Sequence, residues 1–237
     1  MNWLSTDETW PWLRTGTDLF LGAVDGVTDA EFDEPTALPH WCRRHLVAHM
    51  GLNAQALQRL VRWAATGEAT PMYSSTEQRS GDIDAGSAWS PQRLREFVHE
   101  TAVALEADLD GLPADRWTAE VRTAQGRAVP ATEIVWMRVR EVAVHSVDLG
   151  VGIGFGDLPA ALCAALIGDV AARRSTQGDG PALELVSSDG GTWRIDGVGA
   201  AATVRGSVVD LASWLTGRGS GALSADKGGL PELGPWL

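Results

Sequence analysis

Lysine is nearly absent: Lys227 is the only one in 237 residues, so arginine carries almost all the positive charge. With abundant alanine and glycine, that bias is what GC-rich coding produces and says little about mechanism. Acidic residues exceed basic ones, 31 to 19, for a net charge of −12. A chain so acidic lacks the basic face that nucleic acid requires, and anionic membrane surfaces are excluded for the same reason. Cysteine is also scarce. Cys42 and Cys163 are too few for a disulfide framework and neither sits in a CxxC pair, so a reduced, cytoplasmic protein is expected. No apolar run is long enough to span a bilayer. The stretch Met1 to Trp12 carries acids and no apolar segment, so no signal peptide is expected. There is no Walker loop, no serine elbow and no internal repeat. At 44% hydrophobic and 21% charged, the chain reads as a globular protein with room for one large domain or two smaller ones.

Hydrophobic periodicity divides the chain in two. Leu13, Leu19, Phe20, Ala23, Val24 and Val27 recur at helical spacing and predict a first helix from Thr6 to about Val27. A second runs from about Cys42 to Thr66 and stops at Gly67, with Leu46, His49, Asn53, Ala56, Leu57, Leu60 and Trp63 on one face. A weak helix follows over Thr76 to Asp84. Ser90-Pro91 opens a third long helix that reaches about Leu109. Trp117 to Val129 predicts a hairpin turning at Gln125-Gly126, and a fourth long helix spans about Ala131 to Leu149. Four amphipathic helices in residues 1–150 predict a four-helix bundle. After the Gly-rich GVGIGFGDLP the texture changes. A helix over Pro159 to Arg174, strands in ALELVSS, TWRID and AATVRGS, and a helix over Val208 to Leu215 predict a smaller α+β domain over residues 151–237, ending in a loose GGLPELGPWL.

The chemistry concentrates in RVREVAVHSVDL, Arg138 to Leu149. Glu141 and His145 are four apart and share a helix face, amid apolar Val142, Val144 and Val147. Far upstream, His45 and His49 in RRHLVAHMGLN have the same spacing. A lone histidine in a bundle is usually a hydrogen-bonded core or surface residue, and His40 and His99 are read that way. The four candidates together resemble bundle sites in which inward carboxylates and imidazoles hold a divalent metal. The competing reading is a buried Glu–His hydrogen bond that sets helix register. HLVAH has the histidine spacing of a zinc-protease helix but no glutamate after the first histidine, which disfavours peptide hydrolysis. Arg218, between Gly217 and Gly219, either satisfies helix-end carbonyls or offers its planar fork to a carboxylate.

RRHLVAHMGLNAQAL, TGEATPMY, TAQGRAVPATEIVWMRVREVAVHSVDLG, FGDLP and the late GRGS resemble the mycothiol-dependent maleylpyruvate isomerases of the DinB-like metalloenzyme group, across nearly the whole chain. The resemblance implies a DinB-like four-helix bundle in residues 1–150, followed by a smaller, sterol-carrier-like α/β domain that closes the active site. It implies zinc held by His49, Glu141 and His145, with His45 outside the ligand set, and Arg218 as the essential arginine. It further implies mycothiol as thiol cosubstrate, maleylpyruvate as small-molecule substrate, and a place in gentisate degradation. Two other readings use the same residues: a mycothiol S-transferase acting on another electrophile, and a non-enzymatic, metal-stabilised binding or stress protein.

Overall fold

The structure, a computed structural model, describes residues 4–234 and 236. The chain divides into two compact units, with the boundary in the sequence between Val151 and Gly152. The expected loose end falls partly on Pro235 and Leu237, and the start of the Met1 to Trp12 stretch on residues 1–3; these lie outside the described residues.

The first unit is a bundle of four long helices. α1 (Thr6–Gly26) begins with a capping box: Ser5 Oγ accepts from the Glu8 backbone N–H while Glu8 accepts from the Ser5 N–H. α2 (Arg43–Thr66) ends where Gly67 takes a left-handed φ of 77°. α3 (Thr76–Ser87), capped by Ser75, runs three residues beyond the expected weak helix. Ser90 caps α4 (Pro91–Asp110), with proline at the first turn, where its missing N–H is harmless. The hairpin β1 (Glu120–Arg122) and β2 (Ala128–Pro130) pairs Val121 with Val129, both buried. It leads into α5 (Glu133–Asp148).

α2 packs against α4 and α5, and α5 packs against α1. These contacts are close because small residues sit where helices cross. A Cβ added to Gly51 on α2 would lie 2.3 Å from Cε1 of the Phe97 ring on α4. A Cβ on Gly16 of α1 would lie 2.5 Å from Val142 Cγ2 on α5. One buried polar tie joins α2 to α5. Arg138, 2% exposed, donates through Nη1 to the Met50 carbonyl at 2.9 Å and to Asn53 Oδ1 at 2.8 Å.

In the second unit a 3-10 turn (Phe155–Asp157) interrupts the Gly-rich linker, and α6 (Ala160–Gln177) runs three residues past the expected end. β3 (Pro181–Ser187), β4 (Thr192–Ile195) and β5 (Val198–Gly206) precede α7 (Val208–Leu215), and a short β6 (Ser224–Ala225), unforeseen in the sequence, follows. The sheet order is β4-β3-β5-β6, with β3 and β5 parallel and Leu185 level with Val204. Alternate β3 residues Leu183 and Leu185 are buried, as are Leu166 and Val170 of α6 and Leu211 and Leu215 of α7. The helices thus cover one sheet face.

Gly51→Ala tests the α2–α4 contact. The added methyl must displace an aromatic ring in a close-packed core, so stability should fall by roughly 1–3 kcal/mol, read from urea unfolding. An unchanged midpoint would show that Phe97 relaxes freely.

Candidate metal centre

Helical spacing stacks Glu141 and His145 on one face of α5, and α2 lays His49 against that face. His49 Nε2 lies 3.0 Å and His145 Nε2 3.3 Å from Glu141 Oε2, and the candidate ligand atoms all lie within 4.8 Å of one another. A tetrahedral zinc with bonds of about 2.0–2.1 Å holds its ligand atoms about 3.4 Å apart, so the cluster has the right size. Its donor set, two imidazoles and one carboxylate, is the kind found where zinc keeps a fourth position open.

The electrostatics differ from ring to ring. Burial pulls the His49 pKa down to about 4, despite the neighbouring Glu141 carboxylate, so the ring is neutral and ready to ligate. Burial also disfavours a charged His145, but hydrogen bonds to Asp148 and Glu141 outweigh it and raise that ring's pKa. Burial opposes ionisation of Glu141, yet hydrogen bonds from His145 and His49 hold its carboxyl well below the usual range.

Four surrounding residues escaped the sequence analysis. Fully buried Asp148 accepts from His145 Nδ1 at 2.8 Å, which leaves Nε2 free to ligate. The His145/Asp148 spacing of three was the signal for it. Trp41 packs its ring 5.3 Å from His49. Arg79 on α3 brings Nη2 to 3.4 Å from His49 Nδ1, and its guanidinium lies 5.7 Å from the Tyr73 ring centroid. No motif announced the last three, because a loop and a short helix deliver them.

The structure separates the other candidates. His45 is not in the ligand cluster: its Nδ1 is 3.0 Å from Cys42 Sγ and its ring stacks on Trp41. Arg218 belongs to the second unit. It is half-buried, with its backbone N–H donating to Ser213 O at 2.8 Å and its guanidinium donating to Thr216 O. The flanking Gly217 and Gly219 take φ of 80° and 144°, which a side chain would strain. His99 pairs with Asp25 at the surface.

A metal-type cluster inside a DinB-like bundle, followed by an α/β unit, defines a two-part enzyme of the DinB-like class. The chain belongs to the mycothiol-dependent maleylpyruvate isomerase family. The family model described as the mycothiol maleylpyruvate isomerase N-terminal domain matches residues 13–150, and the matching C-terminal domain model covers residues 157–235. The crystal structure of the mycothiol-dependent maleylpyruvate isomerase is 37% identical, covers 98% of each chain and superposes with a TM-score of 0.93. A histidine-to-alanine mutant of that isomerase matches at 36% identity, 98% coverage of each chain and the same TM-score. YfiT from Bacillus subtilis, a probable metal-dependent hydrolase with an unusual four-helix bundle topology, is 17% identical over 63% of this chain and 90% of its own, TM-score 0.50; that likeness shows the bundle fold alone. No curated protein matches the chain in sequence. Among the described residues no helix is long and apolar enough to cross a membrane.

His49→Ala should abolish binding of one zinc equivalent, measured by metal analysis after dialysis, while His45→Ala should retain it; the reverse result would place the ion one turn away along α2. Proton competition gives a second check. Because the His145 pKa is raised above its usual 6.5 and that of His49 is lowered to about 4, His145 takes the first proton as pH falls. Zinc affinity should therefore decline as pH falls through the raised His145 pKa, a loss that sets in above the ordinary imidazole value of 6.5, in parallel with a His145 imidazole titration followed by NMR in the metal-free protein.

Proposed function

We propose that the chain catalyses the mycothiol-dependent cis–trans isomerisation of maleylpyruvate to fumarylpyruvate. One observation carries this reading. A three-ligand cluster of His49, Glu141 and His145 converges in a chain that is 37% identical, over 98% of both lengths, to a mycothiol-dependent maleylpyruvate isomerase.

In this reading His49 and His145 present neutral nitrogen lone pairs and Glu141 one carboxylate oxygen to zinc, with Asp148 holding His145 in the tautomer whose proton is on Nδ1. When bound, the ion supplies the positive charge that keeps a thiol ionised near neutral pH. The chain's own thiols are not needed: Cys163 is buried and its pKa is pushed up to about 11 by that burial. The mycothiol thiolate adds to one alkene carbon of maleylpyruvate. As the C–S bond forms, the π pair moves into the conjugated carbonyl as an enolate. The former double bond is then single and rotates. Return of the enolate pair expels the thiolate and leaves the trans alkene, so the thiol is regenerated and no electrons are gained or lost. Arg218 clamps a substrate carboxylate or stabilises the enolate with its planar fork.

The assay follows the ultraviolet spectrum of maleylpyruvate with zinc-loaded protein, with and without mycothiol. Turnover should require the thiol; turnover independent of it, or none at all, would remove the proposal. Arg218→Ala should keep zinc content and circular dichroism and lower turnover by about two to three orders of magnitude, as loss of a transition-state contact does. Arg218→Lys should rescue poorly, because a point charge cannot reproduce the fork.

A further inference from the structure

The two histidines of the cluster meet opposite kinds of neighbour. His145 Nδ1 meets an acceptor, the Asp148 carboxylate, at 2.8 Å. His49 Nδ1 faces a donor, Nη2 of Arg79, at 3.4 Å. A guanidinium has five N–H groups and no lone pair to offer. A neutral histidine that ligates a metal through Nε2 carries its proton on Nδ1. His49 would then turn an N–H toward an N–H, so Arg79 is not the group that orients it for the ion, as Asp148 is for His145.

Charge around the cluster points the same way. A divalent ion would be balanced by the carboxylates of Glu141 and Asp148. Buried Arg138 adds a positive charge and bonds two neutral acceptors, the Met50 carbonyl and the Asn53 amide. Arg79 adds another, and among the described residues no carboxylate lies within ion-pair distance of it. The surroundings of the cluster thus carry surplus positive charge within a protein of net charge −12. The Arg79 side chain is half-buried and rests over the Tyr73 ring, with Nη2 beside His49 of the cluster.

We infer that Arg79 is a second anion-binding arginine of this enzyme, contributed by the helical unit, and that it holds one carboxylate of the substrate while His49 ligates the metal. The inference rests on the proposed reaction, because that reaction brings a dicarboxylate. Maleylpyruvate has a carboxylate at each end, and a single Arg218 fork engages only one of them. Arg79 therefore governs binding of the acid, while the thiol is taken through its sulfur.

Isothermal titration of the zinc-loaded full chain with heptanedioate, a saturated dianion of the same seven-carbon length, in the absence of thiol, tests this. Heptanedioate should bind, and Arg79→Ala should weaken it about ten- to a hundred-fold, the range of a charge-assisted contact. Arg79→Lys should recover only part. In turnover, Arg79→Ala should raise KM for maleylpyruvate by a similar factor and leave KM for mycothiol and zinc content unchanged. Heptanedioate that fails to bind the parent protein, or binds Arg79→Ala equally well, overturns the inference. So does a parallel loss of zinc affinity, which would make Arg79 a positioning residue for His49. The reaction itself fails separately, by absence of maleylpyruvate turnover in the parent protein. Arg79-dependent heptanedioate binding without turnover would keep the anion site and remove the isomerase reading.

Discussion

The pairing of α2 with α5 carries the metal-type cluster, and a buried arginine sets its register. Arg138 lies one turn before Glu141 on α5, and the groups it bonds, the Met50 carbonyl and Asn53 Oδ1, lie within the turn that follows His49 on α2. Rotation of either helix by one residue would swing its ligands about 100° around the axis, out of reach of the other set. Burial pulls the Arg138 pKa down only to about 10, so the group stays charged at neutral pH and its donors must be met. Two charge-assisted bonds offset the desolvation in one register and are lost in others. Apolar residues of the same two helices, including Leu46, Ile134 and Val142, are buried as well, but apolar burial is non-directional and discriminates less between registers.

That register places a carboxylate between two imidazoles in unlike surroundings. His49 is the more deeply buried ring and is held neutral; His145 answers to Asp148 and favours its charged form. The same residue type is tuned in opposite directions by what surrounds it. A metal needs both rings neutral, so the ion competes with one proton rather than two.

The bundle by itself does not define the chemistry. YfiT shares its topology at 17% identity, a level that speaks only to fold. What narrows the class is a match that extends through both units, together with the metal-type cluster of His49, Glu141 and His145 within the bundle. In the proposed reaction the anionic substrate is received by Arg218, flanked by Gly217 and Gly219 in the second unit, and by Arg79 on α3, which has no carboxylate within ion-pair distance among the described residues.

Much of this was legible in the one-dimensional pattern. Caps and breakers announced the helices: Ser90-Pro91 before α4, Gly67 after α2, and Gln125-Gly126 in the hairpin turn. These are local signals, because capping and turn formation involve residues three or four apart. For the same reason the spacing of Glu141 and His145 declared a shared face, while the choice of His49 over His45 came only from family resemblance. Local spacing was silent on Trp41 and Arg79, which reach His49 from outside its helix across 8 and 30 residues of chain, and on Tyr73, which lies under Arg79. It also missed β6, two residues long, whose pairing with β5 depends on a partner some twenty residues away. The sequence by itself determined the elements, the bundle class and a short list of ligands, because helical and strand periodicity are read from near neighbours. Only the tertiary structure decided which histidine meets Glu141, which groups tune each ring, and that one of those groups is a guanidinium. Those outcomes depend on how two helices pack, a long-range choice made by buried contacts such as Arg138 to Asn53.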